Sequence, residues 1–75
     1  MTTLDKLNND DEAIVKDFLG GLGIEEKLNL INIRKGKKIK KIVSQPLSGP
    51  VIILIDNRQC AIGHNMAKKI AVEKI

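Results

Sequence analysis

The side chains best equipped for chemistry in this 75-residue chain fall in the stretch QCAIGHNMAKKI, residues 59–70. Cys60 and His64 are its one cysteine and one histidine, with Gly63 between them. Two chemistries are open to such a pair. A thiolate hydrogen-bonded to an imidazole is a nucleophile, but it needs an accessible sulfur beside the base. Fe(II) or Zn(II) instead needs several ligands converging in a defined geometry. One thiol and one imidazole fall short of that set. In an extended strand Cys60 shares a face with Ile62, and a free cysteine packs as a small hydrophobe. The reading is a core-facing Cys60 and an exposed His64 in a turn, with both retained only as weak metal candidates.

Other combinations are weaker still. Ser44 and Ser48 have no histidine partner suggested by the sequence. The run GGLG, residues 20–23, could cradle a phosphate on backbone N–H groups, but it lacks the Gly-Lys-Ser/Thr ending of a phosphate loop. Asp10, Asp11 and Glu12 are consecutive, so a strand cannot turn all three carboxylates toward one cation. The expectation is a protein with no catalytic residue and no cofactor, in short not an enzyme.

The elements that must position these residues are short. Leu4 and Leu7 form an apolar lead-in before the polar turn NNDD. Residues 12–18, EAIVKDF, read as a first strand. After the glycines, IEEKLNLI places Ile24, Leu28 and Ile31 at i, i+4 and i+7, one stripe of a short helix. Glu25 and Glu26 lie in its first turn, where the helix dipole favours negative charge. Asn32 follows as a left-handed cap, and Gly36 makes a second bend. KKIKKIVSQ then reads as a strand, PLSGP as a turn and VIILID as a strand either buried on both faces or central in a small barrel. Asp56-Asn57 suits a two-residue hairpin turn leading into RQCAI. GHNMAKK gives one helical turn, and IAVEKI a closing strand. The fold class is mainly β: a small closed five-stranded barrel with one short helix after the first strand and one helical turn before the last, formed by a single domain spanning residues 1–75.

Composition narrows the function classes. Residues 34–41, RKGKKIKK, concentrate the basic charge of a chain with net charge +4. Such clustering suits phosphates, but Phe18 is the lone aromatic, so stacking on single-stranded bases has no platform. The lysines read as a solvated strand and turn that discourages edge pairing. A lone cysteine excludes an internal disulfide and fits a reducing cytosol. VIILI is far shorter than the ~20 residues that span a bilayer, and MTTLDKLNND turns acidic where a signal peptide would be apolar. The expectation is a cytoplasmic domain.

Several positions taken together carry a resemblance. They are Ile31-Asn32-Ile33, Lys35-Gly36, the QPLSGP run 45–50, and Ala61-Ile62-Gly63-His64 continuing through Ala67, Ile70 and Val72. In order and spacing they resemble the bacterial ferrous-iron transport protein A family, the FeoA-type domains, from about Asp11 to the C-terminus. Asn32 stands where that family has Gly, Lys35 where it has Pro, and Lys41 where a strand residue is apolar. The Lys41 stem is expected along the barrel rim with its ammonium in water.

The resemblance implies an SH3-type barrel that docks on the ferrous-iron permease, which carries a G-protein domain. Membrane association would then be indirect, at the inner face of the plasma membrane. The partner surface expected from the helix is Leu22, Lys27, Leu30 and Arg34, an apolar residue ringed by basic ones, with extra packing of Leu30 against the barrel mouth as the slightly favoured alternative for that residue. Two other readings remain: an SH3-like regulatory module of a metal-responsive repressor, and a small basic nucleic-acid-binding barrel.

Overall fold

The computed structural model describes residues 1–45 and 49–75, with nothing said of the Leu22 side chain. Alternation of apolar residues builds most of the sheet. Strand β1 is Thr2–Thr3, followed by a 3₁₀ turn at Leu4–Lys6 and then β2, Glu12–Phe18. Helix α1, Leu22–Leu30, leads to β3, Lys38–Ser44. Strands β4, Val51–Ile55, and β5, Arg58–Ile62, form a hairpin; α2, His64–Ala67, precedes β6, Ile70–Lys74. The strands form one antiparallel sheet in the order β1-β6-β2-β3-β4-β5. Five of them are the expected strands, and Thr2–Thr3 adds a sixth by pairing with Val72 and Ala71. The sheet wraps one core built on Leu4, Val15, Ile33, Ile39, Ile53, Ile55, Ile70 and Val72.

Local chemistry explains the corners. Gly20 and Gly21 have φ of 114° and 99°, a region that L side chains avoid, so the chain can break before α1. At the other end the Ile33 N–H donates to Leu28 O at 2.9 Å and the Asn32 N–H to Asn29 O at 3.0 Å. With Asn32 at φ 67°, this is a Schellman cap, and its hydrophobic contact joins buried Ile33 to buried Leu28. Asp56 and Asn57, at φ 52° and 63°, make the expected left-handed hairpin turn.

Four expectations change. Leu4 and Leu7 are not a loose lead-in: both are buried core residues, because the 3₁₀ turn rolls them under β6 and α2. Ile31 leaves the stripe, 39% exposed, since it caps the helix and Ile33 fills the core in its place. Strand β4 is buried on one face only; Ile52 and Leu54 remain half-buried. Leu54 lines an open groove with Glu12, Lys38, Lys40 and Asp56. Lys41 is 3% exposed, and its ammonium is inside the fold rather than in water. It shares the inward face of β3 with Ile39, so its head can reach only the N-terminal segment. Residues 46–48 of the expected PLSGP turn, including Ser48, lie outside the described residues.

Candidate functional site

Helix α1 and the β5–α2 corner enclose an apolar groove of about 320 Å³ lined by Lys27, Leu28, Ile31, Ala61, Ile62, Gly63 and Met66. The sequence dictates each wall. Leu28 faces the core from the last turn of α1, the Schellman cap turns Ile31 outward, and Met66 belongs to the one-turn helix that follows Gly63. Ala61 is exposed and small, which leaves the mouth open. Lys27 is the one charged residue among the lining side chains.

Of the residues expected on the partner surface, Lys27 lines this groove. Leu30 is 86% exposed on the last turn of α1, one residue before Ile31. Packing of Leu30 against the barrel mouth is therefore ruled out. Lys27 and Arg34 are exposed, and Arg34 Nε donates to Asn32 Oδ1 at 3.4 Å. The Leu22 side chain lies outside the described residues. Sequence reading missed Ala61, Ile62 and Met66 because their role depends on how α1 docks against β5. The signal available was a small-residue corner, Ala61-Ile62-Gly63, with an apolar Met66 one helical turn beyond Ile62.

A second polar network fixes the end of α1 to the β4–β5 hairpin. Lys37 Nζ donates to Asp56 Oδ1 at 2.8 Å and Oδ2 at 3.0 Å, and the Asn32 amide donates to the same carboxylate. The hydrogen bond from Lys37 holds the Asp56 carboxyl below its ordinary value, with the Lys37 charge, Asn32 and the more distant Arg58 charge acting in the same direction. This network holds the cap, and with it the outward angle of Ile31.

Cys60 and His64 are both half-buried, Cys60 packed against the core from β5 and His64 at the start of α2. His64 is thus less exposed than its turn position suggested, because α2 folds back toward the 3₁₀ turn. No group of three or more His, Cys, Asp or Glu able to hold a metal ion forms among the described residues.

Comparison with known proteins bears on this geometry. The FeoA domain family matches residues 2–74. The chain belongs to the FeoA family. A Methanocaldococcus jannaschii protein assigned as Fe(2+) transport protein A is 41% identical over 63 residues, covering 84% of this chain and 74% of that one. The crystal structure of an iron uptake regulatory protein (FeoA) superposes with TM-score 0.89 at 30% identity, covering 99% of this FeoA domain and 96% of that chain. Iron(II) transport protein A from Clostridium thermocellum gives TM-score 0.89 at 26% identity, with 99% and 46% covered. The manganese-activated repressor ScaR contains the same fold, TM-score 0.88 at 20% identity over 35% of its length. At that identity the likeness to ScaR speaks for the fold alone. No described helix of the FeoA domain is long and apolar enough to cross a membrane.

Proposed function

We propose that this FeoA domain is a cytosolic accessory protein of ferrous-iron uptake that docks on the ferrous-iron permease at its G-protein domain or cytosolic tails, at the inner face of the membrane. The family supplies the link to Fe(2+) transport, and the surface supplies the mode. The observation that carries the reading is Leu30, a large apolar side chain left 86% exposed between exposed Lys27 and Arg34. An isolated exposed leucine is ordinary; one with exposed basic neighbours, next in sequence to the groove-lining Ile31, suits a protein contact. Docking of this kind alters transport by binding one permease conformation more tightly than another. The chain acts by contact and makes no bond of its own.

A pull-down of the permease tests the site. Leu30→Gln and Arg34→Glu should each weaken capture without changing the fold. Full capture by both variants would move the contact away from α1.

A further inference from the structure

Strand β5 is an edge of the sheet, paired with β4 and with no strand on its other side among the described residues. Its hairpin closes through a two-residue turn in which Asp56 and Asn57 both have positive φ. In such a hairpin the pair flanking the turn, here Ile55 and Arg58, is hydrogen-bonded, and bonded pairs then alternate. Arg58, Cys60 and Ile62 therefore direct their backbone groups at β4. The N–H and C=O groups of Gln59 and Ala61 point away from the sheet, and both residues are exposed. A row of open backbone donors and acceptors is a template for another strand. Natural edges are blunted by Pro, by inward charges or by cover; β5 contains no Pro, and beside it lies the apolar groove of Leu28, Ile31 and Met66.

Charge says which strand fits. Lys16, Lys35, Lys37, Lys38 and Lys74 each pair with a carboxylate. Lys27, Arg58 and Lys68, like Lys6, Arg34, Lys40 and Lys69, form no ion pair among the described residues, and from Arg58 to Lys69 the sequence has no Asp or Glu, the preceding acid, Asp56, being paired with Lys37. A second copy of this chain would set the same cations against each other. An acidic strand would meet them with opposite charge.

We infer that β5 is a docking edge for an extended acidic segment of the partner protein, which adds a further strand. Its backbone bonds Gln59 and Ala61, one set of alternate side chains is apolar and enters the groove between α1 and α2, and acidic residues meet Lys27 and Arg58. The inference deepens the docking reading and rests on it.

The probe is a synthetic ten-residue peptide of alternating Glu and Val, titrated into the ¹⁵N-labelled protein. Shifts should concentrate on the Gln59 and Ala61 amides and on residues lining the groove. Methylating every peptide nitrogen keeps the side chains and removes the donors; affinity should then fall at least tenfold. Lys27→Glu with Arg58→Glu should lower it comparably. Equal binding by the methylated peptide, or shifts elsewhere in the sheet, overturns the inference without relying on any variant's folding. The permease G-protein domain in the same titration separates the two levels. Binding that leaves the Gln59 and Ala61 amides unmoved overturns the β5 edge and leaves docking intact, whereas no binding overturns the docking reading itself.

Discussion

The ammonium nitrogen of Lys41 on β3 donates to the carbonyl oxygen of Leu7 at 2.5 Å and to that of Asp5 at 3.0 Å. A cation in the core thus satisfies two carbonyls that the 3₁₀ turn leaves open. The backbone reinforces the clasp: the Asp10 N–H donates to Lys41 O at 2.7 Å and the Lys41 N–H to Asp11 O at 2.9 Å.

Burial lowers the Lys41 pKa from its ordinary 10.5, and the nearby Asp5 and Asp11 charges only partly offset that. The unfolded chain therefore binds this proton more tightly than the fold does, so stability should rise with pH between the lowered value and 10.5. Lys41→Met orphans the two carbonyls and should cost about 1–2 kcal/mol at neutral pH, part of the orphaning penalty being returned by removal of a buried charge. Denaturant unfolding checks both effects. The gap between wild type and Lys41→Met should widen as pH approaches 10.

Leu4 is fully buried although it lies in the first six residues, before the first long strand. Leu4→Ala should cost about 2–5 kcal/mol, as much as replacing the fully buried Ile53 of β4 by Ala. A chain of this size has only about 4–11 kcal/mol in total. Thermal melts of the two variants should fall together; an unchanged Leu4→Ala melt would contradict the place of Leu4 in the core.

The pairing of Asp56 with Lys37 predicts an acid limb. A carboxylate held below its ordinary value of 3.8 stabilises the fold above that pH, and the contribution is lost as pH falls through the lowered value. Melting temperatures of wild type and Asp56→Asn, measured from pH 6 to pH 2.5, should converge at the acid end.

Legibility from the sequence followed the range of the interactions. Strand β2, the Asn32 cap and the Asp56-Asn57 turn were readable because each rests on period-two alternation or on one residue's tolerance of positive φ. Lys41 was misread because its partner lies more than thirty residues away in sequence, and no local pattern reports that Lys41 Nζ reaches Leu7 O; the burial of Leu4 likewise depends on the distant β6 and α2. At the site, the place of Leu30 off the helical stripe left both exposure and packing against the barrel mouth open, and its 86% exposure overturns the favoured packing reading. The groove was not legible, since Met66 and Ile31 meet only after α1 has docked against β5.

Cys60 and His64 should behave as packing residues. One equivalent of Fe(II) under anaerobic conditions should leave their NMR signals in place, since two ligands on one strand and the following turn do not complete a coordination sphere. Selective loss of both signals would mean a metal site.

The central claim, that this fold works by contact with the permease, is tested most directly by isothermal titration of the folded protein into the permease's isolated cytosolic region. The account predicts saturable binding that Leu30→Gln weakens at least tenfold while its melting temperature stays at the wild-type value. No heat of binding for the wild type, or undiminished affinity for Leu30→Gln together with Arg34→Glu, would contradict it.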